Sequence, residues 1–308
     1  MFKKKTALTI ILMVLSLAIF SNAYEFKIGQ VDVLKTRIKD ELKSDFFGCT
    51  IIMAARNGLV LAGNNEDRDH PETIVSIVPA SEKYYGRIIF GYDDSPFQGG
   101  MNDQGLFIDG NSLPSTGWQP ESGKPIFRGI VIMVILGTCA TCEDVRNFFE
   151  KYNFPVLEKA RFPVSDRSGA SMVVEYGQGG IQFVTSDTWY QIATNFVISN
   201  IKDSNYPCSR YRIADKILSK TDKLNLKLIR KTLDETSWSQ TVYSNICDLK
   251  KGIVYIYNRR NFDEVVVMDL AEELKKGQRR IDLPSMFKSQ TDNQEVSNSS
   301  GKNETGVY

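Results

Sequence analysis

The sequence predicts an α+β fold in which two antiparallel sheets are stacked between helical layers. Short apolar runs with strand periodicity gather in blocks, and helical patterns fall between and after those blocks. No internal repeat and no Pro/Ser-rich linker interrupts residues 49–287, so one domain over that range is the economical reading.

The elements follow in chain order. Residues 24–48 place Val31, Leu34, Ile38 and Leu42 at helical spacing, which suits either an N-terminal helix packed on the domain or a propeptide removed from it. Apolar runs at 50–55 and 59–63 flank Asn57-Gly58, a strong hairpin signal. Cys49 opens the first of these strands and Asp67 follows just beyond the second, so the two meet at one edge. Residues 74–78 and 87–92 read as strands, 99–105 as a turn, and 106–109 as a strand leading into Gly110-Asn111-Ser112. Residues 127–136 are a nearly all-apolar helix. Thr141 is an N-cap with Asp144 three residues on, so an amphipathic helix should run from 142 to 152. Residues 171–176, 181–185 and 190–194 form an antiparallel series, and helices follow over 209–218 and 226–235. The last sheet segment comprises 242–248, a turn at Lys250-Lys251-Gly252, then 253–258 and 264–268. From Lys288 to residue 308 the chain is polar and expected to be disordered, with Asn-x-Ser/Thr sequons at Asn298 and Asn303.

Composition narrows the function classes. The chain has formal net charge +1 and no basic stripe interleaved with aromatics, so no nucleic-acid partner is expected. Lys3, Lys4 and Lys5 precede an apolar run over 7–20 and then Ser21-Asn22-Ala23, the order of a secretory signal over 1–23 cut after Ala23. An uncleaved anchor is the alternative, but the run is shorter than the roughly 20 residues a span prefers. The product is expected to be exported, periplasmic or extracellular. Five cysteines in such a chain leave at least one thiol unpaired. A free Cys49 with up to two disulfides among Cys139, Cys142, Cys208 and Cys247 fits. Cys139 and Cys142 have the spacing of a redox or metal pair, but no second pair or histidine cluster completes a zinc site, and packing is the better reading.

The chemistry centres on Cys49. A thiol at the head of a strand, with a carboxylate returning beside it, suits an enzyme that uses an N-terminal cysteine: the thiol attacks an amide carbonyl and the α-amine of the same residue takes the proton. No histidine is needed, and the chain has only His70. Taken singly, each residue has a plainer reading. Cys49 could be a small core residue, Asp67 a turn cap, Asn111 and Asn195 turn residues, and Arg210 a helix-surface residue. Their joint placement is what suggests a shared site.

Several ordered motifs resemble the choloylglycine hydrolase family of linear-amide C–N hydrolases, which includes penicillin V acylases, bile-salt hydrolases and relatives of acid ceramidase. They are Gly48-Cys49-Thr50 with Gly63-Asn64-Asn65-Glu66-Asp67, then Gly100-Met101-Asn102-Asp103-Gln104-Gly105-Leu106, Thr194-Asn195, Ser209-Arg210, and the closing hairpin that ends in Val267-Met268-Asp269. The resemblance spans about residues 49–270. It implies the four-layer αββα sandwich of N-terminal nucleophile hydrolases, with Cys49 as nucleophile and, through its freed amine, base. It implies further that Asp67 holds that amine and thiol, that Asn195 donates to the oxyanion, and that Arg210 supports the charge network. Two positions depart from the family pattern. Asn64 stands where many members carry an arginine beside the nucleophile, and the second oxyanion asparagine aligns without a gap to Ser112, a one-residue shift being needed to restore Asn111. The implied partner is a small N-acyl amide, with no metal or organic cofactor; a homo-oligomer stays open. An acyltransferase on the same fold and a secreted, non-catalytic binding protein are the rival readings.

Overall fold

The computed structural model describes residues 48–69 and 72–287. The expected signal sequence, the segment over 24–47, His70 and the polar tail from Lys288 lie outside these residues.

The hairpin is formed by β1 (Thr50–Arg56) and β2 (Leu59–Asp67), turned by Asn57 at φ 53° and Gly58 at φ 81°. Both lie in the left-handed region that a two-residue hairpin turn requires, which is why Asn-Gly occurs there. Then come β3 (Thr73–Val78), β4 (Arg87–Tyr92), β5 (Gly99–Asn102), β6 (Leu106–Asp109), the short β7 (Asn111–Ser112), β8 (Ala160–Asp166), β9 (Ser171–Gly177), β10 (Gly180–Val184), β11 (Tyr190–Ala193), β12 (Thr241–Asp248), β13 (Ile253–Asn258), β14 (Val266–Asp269) and β15 (Arg279–Asp282). The helices are α1 (Val131–Thr138), α2 (Cys142–Lys151), α3 (Ser209–Leu218), α4 (Leu226–Thr236) and α5 (Leu270–Lys275).

One sheet runs β11-β1-β2-β12-β13-β14; the other runs β10-β9-β8-β6-β5-β4-β3-β15, with β7 pairing β8. Neighbours in both are antiparallel. Alternate residues of a strand face opposite sides of its sheet, and this sorts the apolar side chains into three buried layers. Ile51, Met53 and Ala62 of the first sheet meet Val75, Ile88, Phe90 and Phe107 of the second between the sheets. Ile52, Leu61 and Ile246 face α3 and α4 through Ala214, Leu218, Ile229 and Leu233. Ile89, Ile108 and Val164 face α1 and α2 through Ile135, Val145 and Phe149. The four layers are therefore helices, sheet, sheet, helices, as expected.

Thr141 caps α2 as the sequence implied: its hydroxyl accepts from the Asp144 amide at 3.1 Å, and Asp144 accepts from the Thr141 amide at 3.0 Å. Cys139 and Cys142 pack into the layer between sheet and helix, and all five cysteines are free thiols, so the anticipated disulfides do not form.

Elsewhere tertiary contacts override local pattern. Residues 127–130, expected to be helical, stay outside α1 because the Phe127 amide donates to the Asn153 carbonyl at 2.8 Å and Ile126 bridges Asn153. Gly99–Asn102 is a strand rather than part of a turn, paired with β4 on one side and β6 on the other. The sequence reading had no strand at β8, whose central Pro163 is poor strand material; it lies between β9 and β6 all the same.

Candidate active site

Strand register brings the site together. Thr50 pairs with Asn65, so one step further out Cys49 comes opposite Glu66. Asp67 is the last residue of β2 rather than a residue beyond it, and pairs with Thr241 on the other side. Alternation divides these residues between two faces. Cys49 belongs to the layer between the sheets, and Asn64 and Glu66 share the facing of Ala62 in that layer. Asn65 and Asp67 face the helices, where Asn65 donates to the Leu233 carbonyl at 2.7 Å.

On the helix side, Arg210 of α3 is the hub. Its Nη1 donates to Asp67 Oδ2 at 2.8 Å, to Thr50 Oγ1 at 3.1 Å and to the carbonyl oxygen of Gly48. Its Nη2 donates to Asn195 Oδ1 at 2.7 Å, and its guanidinium lies 4.9 Å from the centre of the Trp238 ring. Asp67 is fully buried and also accepts from the Thr241 hydroxyl at 2.5 Å. Burial raises its carboxyl to about 7, against the lowering effects of Thr241 and Arg210.

The two asparagines occupy adjoining positions. Asn195 Nδ2 donates to the Ser112 carbonyl at 2.8 Å. Asn111 is buried and its Nδ2 lies 3.4 Å from the Cys49 carbonyl oxygen, whereas Ser112 is exposed. Of the two residues, it is therefore Asn111 whose side chain lies toward Cys49. Asn111 is held in turn by Arg161 Nε at 3.2 Å. Arg161 is fully buried; it pairs with Glu175 at 3.1 Å and donates to the carbonyls of Phe196, at 2.7 Å, and Thr194, the residues flanking Asn195.

On the other face the thiol of Cys49 is surrounded by acid. Burial pushes it well above its usual range, and the carboxyl groups of Glu66, Asp67 and Asp109 add to this, offset in part by a hydrogen bond from the Asp67 amide. Glu66, raised by burial, accepts from the Tyr92 hydroxyl at 2.7 Å, from Asn64 Nδ2 at 3.1 Å and from the Cys49 thiol itself. Asn64 therefore bonds to Glu66, in the position where the family's arginine was expected.

Cys49, Asp67, Asn195, Arg210, Asn111 and Asn64 are thus brought into one place. Glu66, Asp109 and Arg161 are additional, and sequence reasoning passed over them. Glu66 could have been found by carrying the hairpin register one pair beyond Thr50, and Arg161 by noticing a charge within an otherwise apolar run.

No protein-family model matches the sequence, and comparison with curated protein sequences gives no match. Solved structures do match. Two variants of the conjugated bile acid hydrolase from Clostridium perfringens superpose with TM-scores of 0.58 and 0.59, at 18% and 19% identity, over 76% of this chain and 96% and 97% of theirs. Penicillin V acylase from Agrobacterium tumefaciens gives 0.58 at 18% identity, over 76% of this chain and 91% of its own. The fold is that of the N-terminal nucleophile hydrolases. Within this nucleophile-hydrolase fold Cys49 stands at the head of β1, with its thiol between the sheets and the Gly48 carbonyl turned to Arg210.

Proposed function

We propose that the protein hydrolyses a linear N-acyl amide through a thioester on Cys49, after the bond between Gly48 and Cys49 has been cut. The observation that carries this reading is the setting of that bond. Arg210 donates to the Gly48 carbonyl oxygen and the Cys49 thiol belongs to the next residue, so the electrophile has an oxyanion donor in place and a nucleophile one residue away.

In maturation the sulfur bonds to the Gly48 carbonyl carbon, the C–N bond to Cys49 breaks, and the thiol proton ends on the nitrogen as it becomes an amine. Glu66, which accepts the thiol's hydrogen bond, is placed to relay that proton. Arg210 holds the negative charge that develops on the carbonyl oxygen, the kind of contact commonly worth about 3–4 kcal/mol in a transition state. Water then releases residues up to Gly48 from the thioester and leaves Cys49 with a free α-amine beside Asp67 and Arg210.

Substrate turnover repeats the sequence with the new amine as base. The new amine, with an ordinary pKa of about 7.7–8.0, is the base for the proton that burial and the nearby carboxyl groups hold on the Cys49 thiol of the uncut chain. The amine takes the thiol proton, sulfur attacks the acyl carbonyl, and the proton passes to the departing amine. Water then attacks the thioester and frees the acid. Asp67 and Arg210 orient the amine, and Asn111 and Asn195 supply amide N–H groups at the rim. Membership of the choloylglycine hydrolase family, export after cleavage at Ala23 and removal of residues 24–48 belong to the same proposal. They are supported by the ordered motifs, by the lysines that precede the apolar run, and by the position of Gly48.

N-terminal sequencing and intact mass of active protein test this together with an amine-release assay on a panel of N-acyl amides. The expected result is a chain beginning at Cys49 that releases amine from at least one member. Full activity from a chain retaining residues 24–48 would refute it.

A further inference from the structure

The proposed hydrolysis leaves part of the space between the sheets without a role. Along β12, Tyr243, Asn245 and Cys247 face the opposite sheet, while Ser244 and Ile246 face the helices. Asn64 and Glu66 of β2 and Asp109 of β6 face the same space. All are at most 3% exposed.

Buried polar groups are nearly always hydrogen-bonded, and leaving one unpaired costs about 1–3 kcal/mol. The Tyr92 hydroxyl, the Glu66 carboxyl and Asn64 Nδ2 meet this rule among themselves. Their neighbours do not. Among the described residues, both carboxyl oxygens of Asp109, the Tyr243 hydroxyl, both ends of the Asn245 side chain and Asn64 Oδ1 have no side-chain partner. These atoms share one locality. Asn64 pairs with Asn245 and Glu66 with Tyr243 across the strands, and the Tyr243 hydroxyl lies within the fields of Glu66, Asp109 and Cys49.

The carboxyl of Asp109 is placed there at the expense of a neighbour's side chain. It lies over Gly99, where a Cβ would come within 2.1 Å of Asp109 Oδ2. The charge that Asp109 feels most is that of Glu66, of its own sign. The nearby cations are engaged elsewhere: Arg210 pairs with Asp67 on the far face, and Arg68 pairs with Asp94 and stacks 4.3 Å from the Tyr92 ring centre. Burial and Glu66 raise the Asp109 carboxyl, and a cation beside it would favour its charged form; with Asp109 so ionised, unused acceptors outnumber unused donors, and the complement of the cluster is a group rich in N–H. The aromatic rings of Tyr243 and Phe90 suit a cation as well.

We infer that this inter-sheet cluster is the acyl-recognition site and that it takes an acyl group ending in a primary ammonium, with Asp109 as counter-ion and Tyr243 and Asn245 as further hydrogen-bond partners. The assignment to the acyl side rests on the amide-hydrolase reading, because an acyl group on Cys49 sulfur faces this cluster. A site built to hydrogen-bond a polar substrate group strongly rejects the analogue that lacks it, since its buried partners are then left unpaired.

The test uses wild-type protein and matched pairs of primary amides. The series from 3-aminopropanamide to 6-aminohexanamide is compared with butanamide to heptanamide, which carry a methyl group in place of the ammonium. Calorimetry measures binding, and ammonia release from the same compounds measures hydrolysis. For at least one chain length the amino compound should bind about tenfold tighter or more than its methyl counterpart, and Asp109→Asn should abolish that preference. Tyr243→Phe, which removes only the hydroxyl, should weaken it and serves if Asp109→Asn does not fold. Equal or weaker binding of the amino compounds at every length overturns the inference, as does a preference that survives Asp109→Asn. Ammonia release without the preference overturns this site alone. The preference without ammonia release leaves the site standing and counts against hydrolysis.

Discussion

Gly48→Ala should slow maturation sharply while leaving the mature enzyme chemically unchanged, because residue 48 is absent from a chain that begins at Cys49. A Cβ at this position would stand 2.3 Å from Arg210 Nη2, 2.9 Å from Asn195 Oδ1 and 3.0 Å from Arg210 Cζ. Ordinary contact begins near 3.4 Å, so the guanidinium must withdraw by about 1 Å. It has little freedom to do so, being fixed by Asp67 at 2.8 Å, Thr50 at 3.1 Å, Asn195 at 2.7 Å and the face of Trp238. A withdrawal of that size removes the donor from the Gly48 carbonyl. Loss of one oxyanion donor costs on the order of 10²–10³ in rate, about 2.7–4 kcal/mol. The assay follows the fraction of chains beginning at Cys49 against time by intact mass, at fixed pH and temperature. Slowing of roughly 100-fold or more is expected, with wild-type kcat for whatever fraction does mature. Processing at the wild-type rate would refute the role given to Arg210.

Further outcomes follow from the same geometry. Cys49→Ala should remain folded, uncut and inactive, since it deletes only a sulfur atom; amine release above background from a clean preparation would remove Cys49 as nucleophile. Asp67 keeps its proton in the uncut chain until about pH 7, whereas an unfolded aspartate releases it near 4. Folding stability should therefore fall as pH rises between roughly 4 and 7, and denaturant titrations of Asp67→Asn should lose that slope. If ionised Asp67 is what orients the reacting groups, the processing rate rises through about pH 7 and Asp67→Asn flattens the rise. The mature enzyme should show this limb at lower pH, because an ammonium beside Asp67 favours its charged form. Arg210→Lys should reduce kcat more than it raises KM, since one point charge cannot serve Thr50, Asp67 and Asn195, the three acceptors that remain once Gly48 has gone. Arg161→Met leaves Glu175 buried without its partner, a loss of about 3–5 kcal/mol, and thermal unfolding should drop by roughly 10 °C.

Much of this architecture was legible in the chain because it is locally encoded. Asn57-Gly58 dictated a two-residue turn, so the β1–β2 hairpin and the approach of Asp67 to Cys49 followed directly. Thr141 and Asp144 fixed the start of α2 by a hydrogen-bond exchange within four residues. Short apolar runs located β4, β6 and β13, and a period-3.6 pattern located α3, with their observed limits; β4 and β6 read as continuous apolar runs because both their faces are buried, one between the sheets and one under the helices.

What escaped the sequence depends on partners far along it. β8 carries Pro163 and Arg161 and has no strand-like pattern, yet lies inside the second sheet because Arg161 finds Glu175, Asn111 and two carbonyls there. The choice between Asn111 and Ser112 was undecidable from spacing, because only the pairing of β7 with β8 settles which side chain turns toward Cys49. Short-range turn, cap and periodicity rules were enough to read from the sequence the hairpin that presents Cys49 and the layered fold. Only the tertiary structure places Arg210 on the Gly48 carbonyl and Asp109 beside the thiol. Those contacts join strands and helices as many as 162 residues apart, and no local rule encodes a distance between such elements; packing of the two sheets and the helix over them does.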